Sequence, residues 1–239
     1  MLINAKEFEH ADLNNAIKSA GKSCKVMNCL GERFIGAGMS DISIEVYGIA
    51  GNALGTYLNG AEITTHGNAQ DAVGDTMNDG KIIIRGSTGD AVGYAMRGGE
   101  IYVQKDAGYR AGIHMKEYKE KVPVLVIGGK TGSFLGEYQA GGIIIVLGLT
   151  DNDKNIVGNF PAMGMHGGKM FLRSDCSKVL LPDRVNSHIA TQEDIDEIEK
   201  YIDNYCSYFG ADKNEILSGT FTVVTPDSEN PYKQMYATN

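Results

Sequence analysis

GIAGNALGTYL at residues 48–58 returns with small changes as GNAQDAVGDTM at 67–77, GSTGDAVGYAM at 86–96 and KDAGYRAGIHM at 105–115. The closing glycines of these four rows, Gly55, Gly74, Gly93 and Gly112, recur with a period of 19 residues. A short run of alternating side chains precedes each row: ISIEVY, AEITTH, KIIIRG and EIYVQK. Self-similarity at a fixed period of about 20 residues indicates a solenoid.

The alternating runs have the pattern of β-strands with one buried face. Ile44, Ile63, Ile82 and Ile101 occupy the same position in successive runs, so they should form a column inside the solenoid. A period of 19 residues is too short for a strand and a crossover helix in every coil, and the L-x-x-L-x-L pattern of leucine-rich repeats is absent. We therefore predict an all-β fold, a right-handed parallel β-helix built as a single-stranded solenoid of about seven coils.

Recurring glycines are predicted to mark the turns of the coils, because glycine alone adopts positive φ freely and allows close approach of neighbouring backbones. The set continues beyond the four clear rows, after a charged insertion at residues 116–121 and before a second insertion at 149–158. The predicted structural glycines are Gly51, Gly55, Gly74, Gly89, Gly93, Gly108, Gly112, Gly132, Gly136 and Gly164.

Three segments follow from the changes of composition along the chain. Residues 1–22 are predicted to hold a short amphipathic helix, residues 23–174 the β-helix, and residues 175–239 a linker, a capping helix and a terminal strand, TFTVVTP. Thr191 and Asp194 form a variant capping box at the start of the C-terminal helix, and Gly210 follows its end. We expect this helix to cover the open end of the solenoid, where backbone groups would otherwise be unpaired.

Composition excludes several classes of function. The 239 residues carry a net charge of −8, which argues against a nucleic-acid-binding surface. No stretch approaches the roughly 20 apolar residues of a membrane span, and the first residues lack the features of a signal peptide. We therefore expect a cytoplasmic protein without nucleic-acid or membrane partners.

No residue pattern points to catalysis by this chain alone, and we predict no catalytic, cofactor-binding or metal-binding residue. The four cysteines lack metal or cluster spacing and are interpreted as reduced, partly buried thiols. Asn52, Asp71 and Asp90 share one position of the rows; a divalent ion there is an alternative, but capping of each residue's own turn is favoured. The clustered Asp, Lys and Arg of a β-helix lyase are not found in the sequence.

The rows GIAGNALG, GNAQDAVGDTMNDG, AGYRAGIHM, GEYQAGGIIIVLG and NFPAMGMHGGKMFL resemble, in this order, the C-terminal GXGXG domain of the glutamate synthase large subunit. The likeness covers about residues 24–173, and the predicted C-terminal helix and strand extend it. It departs from the family at residues 107–111, AGYRA in place of AGERF, and at 131–139, TGSFLGEYQ in place of H-G-C-E-Y-M. In that family the domain is noncatalytic and packs against a flavin domain and an amidotransferase domain.

The resemblance implies a stand-alone structural subunit that assembles with glutaminase chains and with synthase chains carrying FMN and an iron–sulfur cluster, as part of an oxidoreductase of glutamate biosynthesis. Two alternatives stay open. AMRGGEIYV at residues 95–103 is also similar to the repeats of the noncatalytic β-helical subunit of formylmethanofuran dehydrogenase, a molybdenum or tungsten complex. The other alternative is a free-standing β-helix that binds a ligand or acts on it.

A face for partner binding is predicted from bulky or charged residues at outward positions of the rows. It consists of His66, Arg85, Tyr94 and Tyr109. The partner on this face is another subunit or a second copy in a homo-oligomer.

Overall fold

The computed structural model describes residues 1–150 and 155–227, and it is a parallel β-helix. Part of the second insertion therefore lies outside the described residues. Residues 228–239 of the predicted C-terminal segment also lie outside them. The strands are β1 (Leu2–Asn4), β2 (Ser23–Leu30), β3 (Ser43–Ile49), β4 (Asn59–Thr65), β5 (Asp79–Ile84), β6 (Glu100–Val103), β7 (Val124–Ile127), β8 (Ala140–Val146), β9 (Gly167–Leu172), β10 (Val185–Ile189) and β11 (Thr222–Pro226). The helices are α1 (His10–Ser19), α2 (Gln192–Phe209) and α3 (Lys213–Leu217).

Strands β1 to β9 pair in sequence order, and each pair is parallel. Ile44 lies opposite Ile63, Ile63 opposite Ile82, and Ile82 opposite Ile101, which confirms the predicted internal column. The interval from β2 to β9 contains eight strand-bearing coils rather than seven. The two insertions after Met115 conceal the period there, and this explains the lower count from sequence.

The glycine rows form a second ladder of hydrogen bonds, which we call the turn ladder. Every second residue of a row has positive φ, as in Ala72 (57°), Gly74 (67°) and Thr76 (52°). The amide of Ala72 donates to Asp90 O of the next row at 2.8 Å, and the amide of Gly74 donates to Leu54 O of the previous row at 2.8 Å. Alternate amides thus point forward and backward, so each row is joined to both of its neighbours.

The central glycines Gly55 and Gly74 are required by space more than by φ, since Ala72 and Thr76 adopt similar φ. A Cβ on Gly55 would lie 2.5 Å from Ile82 Cδ1, and a Cβ on Gly74 would overlap Ile101 Cδ1. These isoleucines belong to the internal strand column, so the row lies directly against the opposite wall of the coil. The same contact, between the glycine of one row and the strand two coils further along, therefore recurs every 19 residues.

The N-terminal end of the solenoid is closed by β1 and α1, where the sequence predicts only a helix. Strand β1 pairs with β2, and α1 covers the end of the core with Leu13 and Ile17, both fully buried. The side chain of Asn14 donates to Phe34 O at 2.8 Å and accepts from the Gly36 amide at 2.9 Å. One amide side chain therefore satisfies a donor and an acceptor of the first row of the turn ladder.

At the C-terminal end the sheet is continued by a hairpin rather than covered by the helix. Strand β11 pairs antiparallel with β9 on one side and with β10 on the other, so the last coil has a paired edge. Residues Cys176, Val179 and Leu181 of the linker pack against the internal core.

Helix α2 lies on the outer face of the sheet, which corrects the expectation that it caps the open end. Its buried residues Ile198, Tyr201, Ile202 and Tyr205 form a second hydrophobic core with the outward side chains of β6 to β9. These outward side chains include Tyr102, Val126, Ile145 and Phe171, all fully buried. The predicted capping box of Thr191 and Asp194 is confirmed, and so is the C-terminal glycine, Gly210, at φ 70°. No helix in the described part of the chain is long and apolar enough to span a membrane.

Candidate interaction surface

The stacked Asn52, Asp71 and Asp90 form a polar ladder between coils. Asp71 accepts a hydrogen bond from the Asp90 amide at 2.9 Å, and Asp90 accepts one from the Tyr109 amide at 2.8 Å. Asn52 accepts from the Asp71 amide in the same way at 3.2 Å. Each side chain therefore caps the next coil rather than its own turn, which corrects the favoured reading of the sequence. The carboxylates join successive coils and are engaged in structure.

Metal and thiol chemistry find little support in the described residues. Within 1–150 and 155–227, no group of three or more His, Cys, Asp or Glu side chains is placed to hold a metal ion. All four cysteines are free thiols, Cys24 and Cys29 being buried. Burial raises the pKa of Cys24, and it raises that of Cys29 to about 12. These two side chains are therefore thiols at neutral pH, whereas nucleophilic attack requires a thiolate.

A charged cleft of about 400 Å³ lies where strands β4 to β6 begin. Asp79, Lys81, Glu100 and Lys121 line it, so the fold does bring carboxylates and lysines of successive coils together, although the sequence showed no such cluster. Lys121 Nζ lies 2.7 Å from Asp79 Oδ2, and Lys81 Nζ lies 3.8 Å from Glu100 Oε2.

Two ion pairs join four of the charged side chains of this cleft, and Glu62 is a fifth charged side chain that lines it. The hydrogen bond from Lys121 lowers the pKa of Asp79. Burial opposes the charge of Lys81, but the hydroxyl of Tyr208 and the nearby carboxylates prevail and raise its pKa. A general acid or base works best with a pKa near the operating pH, and these shifts move both groups away from it. The arrangement favours a structural role for the cleft.

Two members of the predicted partner face lie at the ends of strands β4 and β5. The ring of His66 stacks on Tyr47 with centroids 4.1 Å apart, and its Nε2 lies 3.2 Å from Glu45 Oε2. Arg85 donates through Nη1 to Tyr208 O at 2.7 Å and lies over the ring of Phe209. Arg85 thus binds the C-terminal end of α2 within its own chain.

The other two members, Tyr94 and Tyr109, lie on the turn ladder, and Tyr94 has aromatic neighbours. Tyr94 makes an edge contact with His114 at 5.9 Å, and His114 stacks on Tyr138 at 5.2 Å with the ring planes 10° apart. Tyr109 is 56% exposed and Tyr138 is 49% exposed. Of the four predicted residues, the structure therefore places Tyr94 in an aromatic cluster and Tyr109 exposed on the same ladder, next to Arg110 in the sequence. The other two lie at the strand ends, and no described contact joins the two pairs.

A second aromatic column runs beside the first. The guanidinium of Arg110 lies over the ring of Phe134 at 5.4 Å, and Phe134 stacks on Phe160 with centroids 5.4 Å apart. Arg110 also pairs with Glu137 at 3.3 Å. We call the whole surface the aromatic face and define it by Tyr94, Tyr109, Arg110, His114, Phe134, Tyr138 and Phe160.

Sequence reasoning missed five of these seven residues. The insertions before Phe134 and Phe160 break the period of 19, so the equivalence of Arg110, Phe134 and Phe160 is hidden. Positive φ at all three, between 57° and 64°, reveals that they share one position of the rows. An alignment of the rows on their central small residues would have revealed this equivalence from sequence; these residues are Gly112, Gly136 and Ala162.

Comparison with known proteins supports the repeat as a family trait. The model of the GXGXG motif family matches residues 3–227 of the chain. The uncharacterized protein MJ1350 of Methanocaldococcus jannaschii is 42% identical over 250 residues, covering 99% of this chain and 96% of that protein. Among solved structures, a chain of the formyltransferase/hydrolase complex (FhcABCD) from Methylorubrum extorquens, in complex with methylofuran, is similar with a TM-score of 0.64 and 22% identity. This similarity covers 86% of the present chain and 73% of that chain, and it shows the shared fold.

Proposed function

The chain belongs to the GXGXG motif family, and on that premise we propose that it is a noncatalytic structural and interaction subunit of a multi-subunit enzyme. The specific assembly that we propose is a glutamate synthase-like oxidoreductase in the cytoplasm. Its partners would be a glutaminase chain and a synthase chain that carries FMN and an iron–sulfur cluster. The order of the glycine rows and the C-terminal helix and strand, described above, support this choice.

The aromatic face is the observation that carries the proposal. Exposed Tyr, Phe and Arg side chains lie on it in two columns, each stacked along the turn ladder. Tyr and Arg are enriched at the energetic centres of protein interfaces, where their rings and guanidinium groups are removed from water. Contiguous apolar surface of this kind marks interaction sites in soluble proteins. A partner subunit that covers these rings is the occupant we propose.

Catalysis and cofactors are assigned to the partner chains. The ion pairs of the charged cleft support this division, and the pKa shifts of Asp79 and Lys81 move these two groups away from the range in which proton transfer is efficient. The raised pKa values of Cys24 and Cys29 are consistent with thiols that pack rather than ligate a cluster.

A formyltransferase/hydrolase-like assembly is the second candidate. The shared fold with a chain of that complex favours it, at a TM-score of 0.64. In that case the chain would again be a noncatalytic scaffold, with different partners. The free-standing ligand-binding alternative is less well supported, because four of the charged groups of the cleft pair with each other.

Recovery of the native complex tests the assembly. We expect an affinity-tagged copy, expressed in the native cell and purified at low salt, to bring down stoichiometric partner chains. Flavin and iron–sulfur absorbance, with a glutaminase-like chain identified by mass spectrometry, is the predicted result. Formyltransferase-like and hydrolase-like chains in the eluate would replace this assembly by the second candidate, and molybdenum or tungsten would indicate a formylmethanofuran dehydrogenase-like complex. Recovery of the chain alone, at every salt concentration tested, would overturn the subunit proposal.

A further inference from the structure

The last row of the turn ladder, residues 159–165, forms its C-terminal edge. In the row before it, the Phe134 amide donates to Asn159 O at 2.9 Å and the Tyr138 amide donates to Met163 O at 2.8 Å. The Ala162 amide returns a bond to Leu135 O at 2.8 Å. The same three bonds join each pair of neighbouring rows from Phe34 onward. The donors and acceptors that the last row presents on its outer edge can therefore be identified by equivalence with the earlier rows.

On the last row the forward-pointing groups have no partner among the described residues. The amides of Phe160 and Gly164 correspond to those of Phe134 and Tyr138, and Pro161 O corresponds to Leu135 O, yet no hydrogen bond joins them to residues 1–150 or 155–227. Phe160 is 50% exposed, and Met163 between the two amides is 40% exposed. The edge therefore offers two backbone donors beside apolar side chains, whereas Pro161 between them is buried.

The first row of the turn ladder and the last parallel strand of the sheet are both covered. Asn14 satisfies the first row of the turn ladder, and β11 pairs with the last strand of the sheet. Unpaired edges are templates on which another chain can add its backbone, and native proteins usually cover them. The contrast between a capped N-terminal edge and an open C-terminal edge thus points to an external partner for the latter.

We propose that an extended segment of a partner subunit completes the turn ladder by adding a further row against residues 159–165. The segment must present two carbonyl oxygens to the amides of Phe160 and Gly164, as a glycine-rich row of the same type does. Phe160 belongs to this edge and to the aromatic face, so the two surfaces are continuous. The inference rests on the proposed function and adds to it the mode of attachment, backbone addition at an edge.

A second copy of the chain does not fit this edge. Head-to-tail stacking is blocked, because α1 and Asn14 occupy the complementary edge of the first row. Two-fold pairing of whole rows would oppose the Phe160 amide to the Gly164 amide of the other copy, a donor against a donor. The geometry therefore favours a different chain as the occupant of this edge.

Residue-resolved hydrogen exchange tests the proposal. In the free chain we expect the amides of Phe160 and Gly164 to exchange within about tenfold of the unprotected rate, while the Ala162 amide between them is protected. In the complex recovered from the native cell, exchange of Phe160 and Gly164 should slow by about 100-fold or more, and that of Ala162 should stay protected.

A backbone ester provides a matched variant. Exchange of the Phe160 amide for an ester, by incorporation of phenyllactic acid, removes the donor and keeps the ring. We expect unchanged thermal unfolding and about 5- to 10-fold weaker partner affinity, the effect of one hydrogen bond. The same ester at Phe134, whose amide donates to Asn159 O within the chain, should lower the unfolding temperature instead.

The outcomes separate this inference from the proposed function. Protection of Phe160 and Gly164 in the free chain, whether constant or rising with concentration, would mean that the chain itself or a second copy fills the edge, and would overturn the inference alone. Full exchange in a complex that forms normally, or an ester variant of undiminished affinity, would do the same. Failure to recover any partner chain would overturn both.

Discussion

Replacement of Gly74 by alanine is expected to destabilise the chain by about 3 kcal/mol. A left-handed backbone costs a residue with a Cβ about 1–2 kcal/mol, and overpacking of the core costs about 1–3 kcal/mol. Gly74 has φ 67°, and a Cβ there would overlap Ile101 Cδ1 in the internal column. Urea unfolding followed by circular dichroism measures the change in the free energy of unfolding. The effect is large because the row cannot move away from the strand without breaking its bonds to Leu54 O and to the next row.

Two further variants separate the two costs. Gly210→Ala introduces the same side chain at φ 70° with no atom within 4 Å, so it should cost only the backbone part, about 1–2 kcal/mol. Gly74→Ala combined with Ile101→Val removes the methyl group that would be overlapped and should recover part of the loss. If Gly74→Ala proved no worse than Gly210→Ala, the contact between glycine rows and the strand column would not be what sets the period.

Substitution of Tyr205 by alanine is expected to cost about 3–5 kcal/mol and to release helix α2 locally. Tyr205 is buried between α2 and the outer face of the sheet, and its hydroxyl donates to Gln104 O at 2.9 Å. Hydrogen exchange should show faster exchange in α2 while β3 to β5, which lie outside the second core, keep their protection. Urea unfolding measures the total loss of stability.

Tyr205→Phe is the matched variant for this prediction. It keeps the ring and leaves Gln104 O without its hydroxyl donor, so we expect a loss of only about 1 kcal/mol and no release of α2. Equal loss of protection in α2 and in β3 to β5 after Tyr205→Ala would contradict the placement of α2 as a separate layer on the outer face.

The solenoid could be predicted because its determinants are local and repeated. A strand column of isoleucines and a glycine at one phase recur in four adjacent rows of equal length, and the structure confirms both. The number of coils was underestimated, since insertions of different length separate the later rows. The same irregularity hid the alignment of Arg110, Phe134 and Phe160.

The position of α2 could not be read from its own sequence. A stripe of apolar residues at helical spacing indicates that one face is buried, and it does not say against what. The strands did contain a signal: β3 reads SIEVYGI, with alternation, whereas β7 reads VLVI and β8 contains GIIIV, apolar on both faces. A strand buried on both sides needs a second layer, and α2 supplies it.

The polar ladder shows why charged positions are hard to interpret from one sequence. Asp71 and Asp90 were expected to cap their own turns, yet each binds the amide one coil further along. In a solenoid, the residue nearest in space is about 19 positions away rather than two or three. His66 and Arg85 illustrate the same difficulty, because the partner of Arg85 is an α2 residue 123 positions later.

The affinity of the recovered partner for variants of the aromatic face tests the account most directly. The double variant Tyr138→Ala with Phe160→Ala should fold normally, because both rings are about half exposed. We predict that it binds the partner at least about 30-fold more weakly, which corresponds to the loss of roughly 2 kcal/mol typical of an interface hot spot. Phe34→Ala with Tyr57→Ala alters the same two positions of the rows at the N-terminal end, outside the aromatic face, and should change the affinity less than about threefold. Undiminished binding by the first pair, or an equal loss from the second, would contradict the claim that this chain serves its complex through the aromatic face.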